Sequence, residues 1–156
     1  MTMLYRALFL TAMLAASVWP HAARSQPHIG FRGGVTIDPD QANIGLMGYT
    51  SIAPNVRLQP NIDLGFGGRL TVLSFGAEVV YVIPTQDESF IPYFGGGPGI
   101  AVVRQGGTVS TTDTHVGFNF AAGAAISAPN FRPILIEAKV GLGDLPGLKV
   151  VVGIPF

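Results

Sequence analysis

Residues 148 to 156 read Leu-Lys-Val-Val-Val-Gly-Ile-Pro-Phe. Successive side chains of a strand point to opposite faces. Leu148, Val150, Val152, Ile154 and Phe156 therefore share one face, and Lys149, Val151, Gly153 and Pro155 share the other. The same period of two runs through most of the chain. Wherever it is clean, the charged residues Arg32, Arg57, Asp63, Glu78, Glu137, Lys139 and Lys149 fall on the face opposite the aliphatics. Such a pattern specifies sheet rather than helix, with one apolar face and one polar face.

The apolar face needs somewhere to go. Hydrophobic residues make up 48% of the chain and charged residues 12%, about half the charged share of a typical soluble protein. Beyond residue 26 no apolar run approaches the 18 residues that a spanning helix needs. A transmembrane β-barrel hides apolar surface without long apolar runs, by facing alternate residues to lipid. Inward charges then avoid the roughly 2–4 kcal/mol cost of a cationic side chain at the lipid midplane. A soluble lipocalin-like barrel would invert the facing and keep the same alternation. The shortage of charge, the aromatic strand ends and the final Phe156 favour the membrane form.

Turn residues divide the chain into eight segments. They run at about 28–38, 43–52, 56–66, 70–83, 90–105, 115–127, 132–143 and 148–156. In the second, Met47 and Tyr49 fall on the nominally polar face. In the third, Pro60 removes a ladder donor and predicts a bulge or distortion. The fifth contains Gly95-Gly96-Gly97-Pro98-Gly99, and its facing cannot be read. Eight antiparallel strands of about ten residues fit the smallest closed membrane barrel, and closure removes edges that lipid cannot satisfy.

The first 25 residues read as a cleaved signal peptide. Arg6 precedes a short apolar run from Ala7 to Val18, Pro20 ends it, and Ala23-Arg24-Ser25 offers a cut after Ser25, or after Ala22 nearby. No Cys follows, which excludes a lipid-anchored lipoprotein, disulfides and thiolate metal sites. Residues 26–156 then form the barrel domain, with seven basic side chains against nine acidic ones. That balance offers no footprint for nucleic acid.

Signal peptide, eight alternating segments and terminal Phe156 together resemble the small outer-membrane β-barrel superfamily of the OmpA, OmpX and opacity-protein type. The resemblance covers residues 26–156 and concerns architecture. It implies a cell outer-membrane location in a Gram-negative bacterium and a periplasmic amino terminus. It also makes Phe156 the assembly signal read by the barrel-insertion machinery. Nothing follows Phe156, so the peptidoglycan-binding domain of the OmpA type is expected to be absent. On this orientation Tyr81, Phe90, Tyr93, Phe131 and Phe156 gather at the periplasmic rim. Phe66, Phe75, Phe118 and Phe120 lie toward the outer rim, as two interfacial girdles.

An eight-stranded barrel is just wide enough for side chains to fill. The inward residues Arg32, Arg57, Asp63, Glu78, Asn119, Glu137, Lys139 and Lys149, with Arg69 a further candidate, are therefore expected to pair into a polar network that plugs the lumen. The expected role is structural or interaction-based in the envelope, with no catalysis, no cofactor and a monomeric state. Two other classes stay open. One is a narrow porin-like channel along the inward charges. The other is a lipid A-modifying enzyme, for which His115, Ser110 and Asp113 would supply base, nucleophile and carboxylate. No His-x-Ser motif of the lipid A deacylase occurs. His28 and His115 lack a carboxylate at ligand spacing, so no metal site is expected. The glycine run lacks the Lys-Ser/Thr of a nucleotide loop. Among the outer turns, only residues 105–114 have room to recognise a partner, and they contain no aromatic anchor.

Overall fold

A computed structural model describes residues 27–106 and 111–156. The signal-peptide reading of residues 1–25, and Ser110, lie outside the described residues. Eight strands follow in order: β1 His28–Ile37, β2 Gln41–Ala53, β3 Val56–Gly67, β4 Leu70–Val82, β5 Phe90–Gln105, β6 Thr111–Ile126, β7 Ile134–Gly143 and β8 Leu148–Pro155. Each pairs antiparallel with the next, and β8 closes on β1. The seam ends where the Phe156 amide donates to the Ile29 carbonyl at 2.8 Å. Residues 28 and 156 and the turns 54–55, 83–89 and 127–133 lie at one end, here the terminal end. The turns 38–40, 68–69 and 144–147, with Gly106, lie at the far end.

Closure resolves the facing that alternation leaves ambiguous. Phe31 is 64% exposed and its neighbour Arg32 only 6%. Ile44, Val79, Phe120, Val140 and Ile154 point outward with Phe31, and the lumen holds the charged residues. This is the apolar-out arrangement of a membrane barrel, not the apolar-in arrangement of a lipocalin.

Several details differ from the sequence expectations. At Pro60 the expected disturbance takes the form of a distortion rather than a bulge. The β3–β4 register runs unbroken through Pro60↔Ala77, while the β2–β3 ladder omits its partners and resumes in register at Thr50↔Leu58. The one β2–β3 register shift falls between Ser51 and Ala53. A missing N–H is accommodated by a gap in pairing, with no extra residue. Pro98 opens a similar gap on its β4 side, between Gly76↔Gly99 and Val79↔Gly96. Within that gap β5 presses so closely on β4 that a Cβ on Gly97 would lie 2.8 Å from the Glu78 Cα, which fixes glycine there.

Strand β6 starts at Thr111, and β5 and β6 pair up to Gln105↔Thr111. Residues 105 and 111–114 of the expected 105–114 recognition loop are therefore strand, because threonines favour extended backbone. Above Gly117↔Gly143, β6 runs on past the end of β7. At the terminal end, the Asp87 carboxylate accepts from the Ser89 amide at 2.8 Å and its hydroxyl at 2.6 Å. These bonds hold the Asp87 carboxyl below its usual range.

Candidate functional site

The lumen is layered. At the terminal end an apolar plug comprises Met47, Val80, Val82, Tyr93, Ala125 and Leu135, with Tyr49 and Ile91 against it. At the far end Val72, Ala101 and Leu145 form a second plug, with Val103 beside it. Leu145 belongs to the β7–β8 turn, which folds into the mouth instead of away from it.

Between the plugs lies a charged layer. Arg32 of β1 donates from Nε to Asp63 Oδ1 of β3 at 2.5 Å, and its Nη2 makes a second, shorter contact to Oδ2. The planar guanidinium fork matches a carboxylate in this bidentate way. Arg32 also lies 3.6 Å from Glu137 and donates to Asn61 Oδ1 at 2.8 Å. Lys149 of β8 donates to Asp63 at 2.9 Å and to the Ser74 hydroxyl at 3.1 Å. Lys139 of β7 bridges Glu78 at 2.9 Å and Glu137 at 3.4 Å. Three cations thus meet three carboxylates, and the layer is neutral as a whole.

Neutral side chains fill the remaining acceptor positions. The Tyr93 hydroxyl donates to Glu137 at 2.9 Å and Gln59 donates to it at 3.1 Å. Asn61 and Asn119 both donate to Glu78, Asn119 at 3.4 Å. Glu78 is 0% exposed. Buried charges persist only when paired and hydrogen-bonded in this manner.

Of the sequence-proposed network, the structure brings together Arg32, Asp63, Glu78, Asn119, Glu137, Lys139 and Lys149. It leaves Arg57 apart. Its guanidinium sits 5.4 Å from the Tyr49 ring centroid, in a cation–π contact near the terminal end. Arg69 is an exposed turn residue and does not enter the lumen. Tyr93 turns inward at 2% exposure, so it leaves the expected girdle and joins the network. Phe75 and Phe120 are exposed midway along their strands, which thins the expected far-end girdle. Phe156 faces outward, 5.2 Å from the Phe31 ring. Gln59, Asn61 and Tyr93 carry more of the network than parity reveals, because a hydrogen-bond partner is set by distance across the lumen. The buried phenol was the available signal for Tyr93, since a buried tyrosine hydroxyl needs an acceptor.

Two small voids flank the charged layer. A void of about 20 Å³ lies on the far side of the charged layer, lined by Asn61, Ser74, Lys139 and Leu145 among others. One of about 10 Å³ lies on the terminal side, beside Met47, Tyr93 and Leu135. Each has room for about one water. The two histidines among the described residues are at opposite ends: His28 stacks on Tyr49 at 4.8 Å, and His115 pairs with Ala101 on β5. They do not form a shared site. Asp113 lies two residues before His115 on the same strand face, at the mouth.

No family model and no curated protein sequence matches the chain. Solved structures do. The N-terminal β-barrel domain of Pseudomonas aeruginosa OprF superposes with a TM-score of 0.68 at 13% identity, covering 83% of this chain and 96% of that one. Neisserial surface protein A superposes with a TM-score of 0.60 at 11% identity, with the same coverage. At these identities the likeness concerns the fold.

Proposed function

We propose that the chain is an outer-membrane protein of the Gram-negative envelope with a structural or interaction role, monomeric and without catalysis or conductance. Both structural neighbours are small outer-membrane barrels, which supports the location. The observation that carries the role is the layered lumen: a neutral, fully paired charged layer sealed by apolar plugs at both ends. A conducting path needs continuous water, and two separate one-water voids do not supply it. The terminal end then faces the periplasm and the far end faces out.

Fractionation and planar-bilayer recording test this together. The expected result is heat-modifiable protein in the outer membrane that gives no discrete conductance steps at high load. Soluble periplasmic protein contradicts the location, and reproducible steps contradict the sealed lumen.

Phe156 is proposed as the assembly signal recognised by the barrel-insertion machinery. Its ring packs against Phe31 at the wall, and its amide ties the β8–β1 seam. Deleting it is expected to lower the outer-membrane yield several-fold while changing the unfolding midpoint of already folded protein little. Equal yields with and without Phe156 contradict an assembly role.

A further inference from the structure

The two lysines of the charged layer are direct cross-strand partners, Lys139 on β7 and Lys149 on β8. Both line the void of about 20 Å³ on the far side of that layer, together with Ser74, Asn61 and Asn119. Asp63, Glu78 and Glu137 are not part of its lining. The layer is neutral as a whole, yet this void is bordered by two lysines and no acidic residue. The β7–β8 turn covers it through Leu145, Pro146 and Gly147.

Hydrogen bonding repeats the asymmetry. An ammonium group has three donors and no acceptor. Lys149 donates to Asp63 at 2.9 Å and to the Ser74 hydroxyl at 3.1 Å, and Lys139 reaches Glu78 at 2.9 Å and Glu137 at 3.4 Å. Each lysine therefore has one N–H left to donate. The Ser74 oxygen accepts from Lys149, so its own O–H can donate elsewhere, and Asn119 has a second amide hydrogen beyond its bond to Glu78. The Asn61 side-chain carbonyl, by contrast, already accepts from Arg32. Side-chain donors outnumber side-chain acceptors around the void.

We propose that this void binds one halide ion, held by Lys139, Lys149, Ser74 and Asn119. A halide accepts from all four donors at once, whereas a water would have to place two hydrogens of its own among them. A void of about 20 Å³ exceeds the roughly 10–15 Å³ that a water needs, which leaves room for an ion somewhat larger than water but not for sulfate or phosphate. Because the layer is already neutral, the ion adds an uncompensated charge, and its affinity is expected in the millimolar range. The site depends on the lumen alone and not on where the barrel resides.

The test uses the full chain folded in a zwitterionic detergent. Crystals transferred from gluconate into bromide locate the ion by anomalous scattering, and one peak between Lys139 and Lys149 is expected. In solution, chloride-35 line broadening should saturate in the millimolar range and be reversed by bromide but not by gluconate. Ser74→Ala keeps every ion pair of the layer and should weaken chloride binding about tenfold, the loss of one hydrogen bond to a charged group. A lumen peak without anomalous signal, bromide bound at the barrel surface alone, or an unchanged affinity in folded Ser74→Ala overturns the proposal. The wild-type bromide position decides the matter even if the variant fails to fold.

Discussion

Glu78→Leu should destabilise the barrel by about 3–5 kcal/mol, the usual cost of removing one partner of a buried ion pair. Glu78 accepts from Lys139 at 2.9 Å and from both Asn61 and Asn119. Its loss leaves Lys139 with one carboxylate, Glu137, at 3.4 Å, and leaves the layer with an excess positive charge between apolar plugs. Adding Lys139→Met restores neutrality, because Glu137 keeps Arg32, Gln59 and Tyr93. The double variant should therefore be more stable than Glu78→Leu alone, a coupling that a double-mutant cycle isolates. Denaturant unfolding of lipid-reconstituted protein measures it. A single-variant cost below about 1 kcal/mol would show that these charges are solvated, as in an open pore.

One residue along β7, the wall gives the complementary result. Lys139 is 4% exposed and paired inside, whereas Ala138 points outward between Ala122 and Val150. Ala138→Arg puts a cation at mid-strand on the lipid face, with an expected cost of about 2–4 kcal/mol in a bilayer. On the surface of a water-soluble barrel the same change would fall within about 0.5 kcal/mol. Comparing unfolding of the two proteins in vesicles distinguishes these cases, and a near-zero cost would mean that this face does not meet lipid.

Parity placed nearly every wall and lumen residue of β1, β3, β4, β7 and β8, since a strand leaves its facing in the alternation itself. Strand β5 was illegible for a physical reason: glycines at 95, 96, 97 and 99 carry no side chain to mark a face. Its facing, with Arg104 outward, appears only through pairing with β4 and β6. The start of β6 was missed because Thr111 to Thr114 are polar on both faces. The candidate site was legible as a set of inward charges but not as a wiring diagram. Arg57 has the right parity and the wrong height, and Leu145 plugs the mouth from a turn that carries no period.

The charged layer also constrains how the barrel can come into being. Its contacts join residues far apart in sequence: 31 between Arg32 and Asp63, 61 between Glu78 and Lys139, and 86 between Asp63 and Lys149. A partly zipped ribbon of β1 to β6 would hold Glu78 without Lys139, and Asp63 without Lys149. Such a ribbon would carry bare charges and an open edge into hydrocarbon, each unfavourable. Closure should therefore be nearly all-or-none, with half-built sheets absent from the bilayer. Of the eight strands, β7 and β8 come last in order and supply both lysines of the layer, so its neutrality becomes complete only when all eight strands are present.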